Sequence, residues 1–101
     1  ENILCAFHNL SSDIETQIRF GKNDMLSILV SNASNLDPEN QTAQEYAVGT
    51  IVNIANLFEN RNIMASTDGL LKSLLQFASI SLNPTLKSEV KRTIIKLIAV
   101  L

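Results

Sequence analysis

Cys5 and His8 are the only thiol and the only imidazole in the chain. They stand three residues apart, a spacing that brings two side chains together on a helix. A thiol activated by a neighbouring base is the chemistry this spacing suggests. Such a pair needs a third group to orient the base, and none is evident nearby. A metal site needs several His, Cys or acidic ligands at close spacing, and His8 lacks that company. Both residues also have a packing explanation. The positions one and two steps of 44 residues beyond Cys5 hold Gly49 and Thr93, and those beyond His8 hold Val52 and Lys96. Small residues where helices approach closely explain the first set, and a helix-surface or groove-edge position explains the second. Phosphate-binding glycine loops and paired carboxylates are not apparent. No enzyme activity, cofactor or metal is therefore expected.

Asn9 and Asn53 are separated by the same 44-residue step. An amide side chain both donates and accepts, so it can bracket one peptide group of a ligand. Near a helix end it can equally satisfy backbone groups of the adjoining turn. Tyr46 is the sole tyrosine, and Gly49 leaves an open spot beside it. That combination suits an aromatic anchor for a partner, or a ring half-buried in the core. Lys87, Lys91, Arg92 and Lys96 form a basic stripe that fits an acidic or phosphorylated peptide, or a solvated face. Without interleaved aromatics, and in an acidic chain, this is not a nucleic-acid footprint. Asn9-Leu10-Ser11, Asn32-Ala33-Ser34 and Asn40-Gln41-Thr42 match the glycosylation triplet. Among eleven asparagines about one or two such matches arise by chance, and Asn9 falls in a helical pattern.

Composition bounds the elements that hold these residues. At 101 residues a single domain is expected. An apolar share of 46% and a charged share of 18% indicate a globular chain. No apolar run approaches the ~20 residues that cross a bilayer, so membrane insertion is not expected. The sequence opens inside a helical pattern without a leader, which suggests a fragment of a longer protein. A lone cysteine excludes an internal disulfide and suits a cytoplasmic or nuclear setting. Net charge is −2 but uneven: residues 1–68 hold nine acids and three bases, residues 69–101 one acid and five bases.

The chain repeats itself. Glu1 to Ser11 aligns with Glu45 to Ala55 and, more weakly, with Glu89 to Ala99. Such a period marks a helical solenoid. Met25, Leu26, Leu29 and Val30 form an apolar stripe that Leu70, Leu71, Leu74 and Leu75 repeat at a step of 45. Asp37-Pro38-Glu39 and Asn83-Pro84 read as helix starts, and Asp68-Gly69 as a break. The pattern predicts short helices near 14–20 and 59–66, medium helices near 24–34 and 69–81, and long helices near 38–57 and 84–101. The end of an earlier long helix is predicted at 1–11.

Gln44 to Ala55, ending Asn53-Ile54-Ala55, resembles the third helix of the armadillo repeat. Glu59 to Ile63 is similar to that family's first helix, and Asp68-Gly69 to Leu75 to its Gly-led second helix. The resemblance spans essentially the whole chain and rests on the ordered set. It implies an all-α, right-handed solenoid in one domain, 1–101, with units at 1–11 (the end of one), 12–57 and 58–101. It further implies a concave groove lined by equivalent positions of the third helices. These are Asn2, Tyr46 and Val90; Cys5, Gly49 and Thr93; Asn9, Asn53 and Leu97; and Ser12, Asn56 and Val100. The family's groove asparagines match Asn9 and Asn53, whereas Leu97 departs. The import receptors' tryptophan has no counterpart, because the chain contains none. Lys91-Arg92 also departs, as an end unit with a polar face would.

The expected function is protein binding, with an extended peptide held by Asn2, Cys5, Asn9, Tyr46, Gly49, Asn53, Asn56 and Thr93. The alternative is a structural segment of a solenoid whose binding site lies elsewhere. Neither a small-molecule substrate nor nucleic acid is expected as a partner. Self-association is expected through apolar ends at Ile3, Phe7, Ile95 and Ile98, since about three repeats are needed to cover a solenoid's core.

Overall fold

The computed structural model describes Cys5, His8, Asn9, residues 25–35 and residues 37–101. Five α-helices account for most of these residues: α1 (Met25–Ala33), α2 (Gln41–Ala55), α3 (Arg61–Ser66), α4 (Leu70–Ile80) and α5 (Pro84–Ile98). Single 3-10 turns, Pro38–Asn40 and Phe58–Asn60, lead into α2 and α3. Cys5, His8 and Asn9 are also helical. The described residues are all-α, with no strand among them. The predicted helix at 14–20 and most of that at 1–11 lie outside the described residues.

Local chemistry fixes the helix starts. Asp37 Oδ1 accepts from the Glu39 N–H at 3.1 Å, and Pro38 fills a position whose missing N–H costs nothing. Asn83 Oδ1 accepts from the Leu86 N–H at 3.1 Å ahead of α5, again with proline in the first turn. Gly69 enters α4 with φ +78°, a left-handed conformation that a side chain disfavours. The predicted long helices overshoot slightly at their C-terminal ends. Beyond Ala55 and Ile98 the chain tightens into i to i−3 bonds, from Leu57 N to Ile54 O and from Leu101 N to Ile98 O.

Helix ends leave backbone carbonyls without partners, and side chains from neighbouring elements supply them here. Gln44 Nε2 donates to Ala33 O at 3.0 Å, so the start of α2 closes the end of α1. Asn60 Nδ2 donates to Ile54 O at 3.2 Å, and Arg61 Nε to Ala55 O at 2.8 Å. The guanidinium therefore sits at the negative pole of α2. Ser73 Oγ donates to Gly69 O at 2.8 Å. With its one proton so engaged, Ser73 must accept from Ser34 Oγ, which ties the end of α1 to the first turn of α4.

The core follows the apolar stripes. Leu26, Leu29 and Ala33 of α1 meet Leu70, Leu74 and Phe77 of α4, while Val90, Ile94 and Leu97 face inward from α5. Each fully buried Leu or Ile contributes about 1.5–3 kcal/mol relative to exposure. Helix α2 packs on α1 and α5, α4 packs on α1 and α5, and α3 packs on α4 and α5. Helices α1 and α4 thus form one layer, α2 and α5 the other. Within the second layer the helices run parallel. Residues 45–49 share a depression with residues 83–89, and Asn56 meets Lys96 near the other ends.

Gly69→Ala should cost about 1–2 kcal/mol, from forcing a Cβ into the left-handed region. Its methyl would also lie 3.4 Å from Val30 Cγ1. Urea unfolding measures this, and an unshifted midpoint would show that the turn relaxes without cost.

Candidate partner-binding surface

The seam between α2 and α5 carries most of the residues singled out in the sequence. Two depressions adjoin along it. The first, about 420 Å³, is lined by Glu45, Tyr46, Gly49 and Asn53 of α2, by Asn83, Thr85, Leu86 and Glu89 at the start of α5, and by His8. The second, about 190 Å³, lies between Val52, Asn53 and Asn56 of α2 and Glu89, Arg92, Thr93 and Lys96 of α5. Asn53 and Glu89 border both depressions. The amide expected to grip a ligand therefore stands where the two meet.

Several expected site residues occupy different positions from those anticipated. Gly49 is buried, and the spot beside it is filled. A methyl placed on Gly49 would lie 2.8 Å from His8 Nε2 and 2.9 Å from His8 Cδ2. Gly49 is small because an imidazole sits on it, and it opens nothing to a ligand. Thr93 is only 1% exposed, and its hydroxyl donates to Glu89 O at 2.9 Å. It forms the floor of the second depression and offers no free donor. Val90 and Leu97, expected on the groove, are completely buried. The cause is that α5 turns a single apolar stripe inward and leaves Lys91, Arg92 and Ile95 on its open side.

The other expected residues remain accessible. Tyr46 is half-buried, with its ring 5.7 Å from that of His8. Asn53 is half-buried, and Asn56 is exposed, with Oδ1 accepting from Lys96 Nζ at 3.4 Å. Asn9 is exposed, and its amide donates toward Cys5 Sγ at 3.8 Å. The Asn9 amide thus lies against the Cys5 sulfur, and the His8 ring is seated on Gly49. Asn2 lies outside the described residues. Among the described residues no cluster of three or more His, Cys, Asp or Glu is placed to hold a metal ion.

Among the surface residues not expected from the sequence are Glu45 and Glu89. The signal was present. Glu1, Glu45 and Glu89 occupy the only position of the eleven-residue block at which all three copies carry the same residue. Comparison with protein-family models, curated proteins and solved structures gives no match to this chain. No described helix is long and apolar enough to cross a membrane.

The Gly49–His8 contact has a thermodynamic signature. A Gly→Ala change inside a helix gains about 0.5–1 kcal/mol from backbone entropy. In a His8→Ala background, Gly49→Ala should show that full gain. With His8 present the gain should shrink or reverse, because the ring must move. Equal effects in the two backgrounds, by denaturant unfolding, would mean the ring does not constrain position 49.

Proposed function

We propose that this chain is a segment of an armadillo-like solenoid whose α2–α5 seam, with Asn9 and His8 beside it, binds a partner protein through an extended peptide. The observation that carries the reading is Asn53, half-buried on the border of two adjoining depressions with Tyr46 at one side and Asn56 at the other. An amide in that position can pair with the N–H and C=O of one extended residue. The layered order, α1 beside α4 and α2 beside α5, supports the solenoid part of the reading. So does the match of seat to seat: His8 lies over Gly49, and their counterparts 44 residues on, Val52 and Thr93, border one depression. The lone thiol suits a reducing compartment such as the cytoplasm.

Peptides selected against this chain from a random display library test the reading. Amide chemical shifts should move along α2 and α5. Tyr46→Ala combined with Asn53→Ala should weaken binding at least about tenfold, as loss of an anchor and a half-buried amide does, while the circular-dichroism spectrum holds. Peptides that map to α3 or the outer side of α4, or ignore the double change, would sink it.

A second reading has its own observation. Leu75, Ile95 and Ile98 of α4 and α5 are between 51% and 69% exposed. Apolar surface of this kind favours association with a second copy of the chain. Ile3 and Phe7, the other expected contacts, lie outside the described residues. Sedimentation should show a dimer that Ile95→Glu dissociates; a monomer at high protein concentration would refute it.

A further inference from the structure

We infer that the seam selects a peptide of mixed charge, with a basic side chain at the His8–Glu45–Glu89 depression and an acidic one at the Arg92–Lys96 depression. The inference rests on the peptide-binding reading above and adds to it the ligand's charge pattern and its path along the helices.

The first depression is bordered by two carboxylates, Glu45 and Glu89, with no Lys or Arg among the described residues on its rim. Two like charges on one small site repel, and a cation between them relieves the repulsion. His8 and Tyr46 add aromatic surface against which the stem of a Lys or Arg can lie. The second depression is bordered by Arg92 and Lys96 together with Glu89, whose carboxylate it shares with the first depression, so its charged rim is net positive. Lys96 reaches across the seam to Asn56 Oδ1, which holds its ammonium over the depression. Arg92 is exposed and presents the planar fork that suits a carboxylate.

Helix-end electrostatics account for only part of this arrangement. Lys96 lies in the last turn of α5, where a cation is stabilised by the helix itself. Glu45 and Glu89 are the fifth and sixth residues of their helices, beyond the first turn to which that effect is confined. The helix ends therefore do not account for their placement. Because α2 and α5 run parallel, the two charged sites are separated along the helix axes. Glu89 to Lys96 spans about 10 Å, and Glu45 to Asn56 about 16 Å, at 1.5 Å per residue. An extended peptide covers that in about three to five residues. The ligand runs with the seam, parallel to the helices.

A random dodecapeptide phage library panned on the chain tests this. Enriched peptides should carry Lys or Arg about three to five residues from Asp or Glu, and should shift the seam amides. Neutralising one ligand charge, or Glu45→Gln with Glu89→Gln, or Arg92→Gln with Lys96→Gln, should each weaken binding about two- to fivefold per ion pair lost. The losses should not add when the protein and peptide changes fall on the same pair. Arg92→Lys with Lys96→Arg, which retains charge, should recover most of the affinity. Seam-bound peptides with charge of one sign, or none, overturn the charge pattern and leave the groove reading standing. Peptides bound away from the seam overturn both. Charge variants that change the melting temperature but not peptide preference would assign these residues to stability alone.

Discussion

Every residue from Ala47 to Val52 is buried, and a helix turns once in 3.6 residues. Helix α2 is therefore enclosed on all sides over its middle, and the rest of the structure is arranged to enclose it. Helices α1 and α5 cover two of its sides, and the His8 ring covers a third at Gly49. An enclosed helix cannot carry unmatched polar groups. Thr50, fully buried, donates to Tyr46 O at 2.7 Å, and the carbonyls at the end of α2 are taken by Asn60 and Arg61. What remains open is the flanks. Glu45 and Tyr46 come before the enclosed turns, and Asn53 and Asn56 after them. The two depressions draw most of their α2 residues from these flanks.

The elements were legible in the sequence because each obeys a local rule. The apolar stripe of Met25, Leu26, Leu29 and Val30, repeated by Leu70, Leu71, Leu74 and Leu75, located α1 and α4. Asp37-Pro38 and Asn83-Pro84 placed the starts of α2 and α5 close to their observed positions. Helix ends were less legible. Nothing in Asn56-Leu57 or Ala99-Val100 distinguishes a last α-turn from a 3-10 turn, since the choice depends on tertiary contacts such as that of Arg61 with Ala55 O.

The surface was legible only in part, because equivalence in sequence is not equivalence in exposure. Tyr46 and Val90 stand 44 residues apart, as do Asn53 and Leu97, yet the first of each pair is half-buried and the second fully buried. Helix α2 has neighbours all round, so its outward stripe is defined by gaps between them. Helix α5 has neighbours on one side, and its apolar stripe simply faces them. Gly49 shows the same limitation at one position. A glycine beside a tyrosine leaves space in the sequence, and only the fold reveals that another residue occupies it.

Parallel packing determines what kind of surface the seam can be. Antiparallel neighbours would set the first half of one helix against the second half of the other and mix their charges. Here Glu45 and Glu89 share one depression, while Asn56 meets Lys96 toward the far ends. Parallel neighbours cannot be joined by a tight turn, so a crossing segment must return the chain to its starting edge; α3 and α4 do this between α2 and α5. The burial of α4 against α1, with Ser73 bonded to Ser34, fixes that return. The position of α5 beside α2 thus depends in part on a contact in the opposite layer.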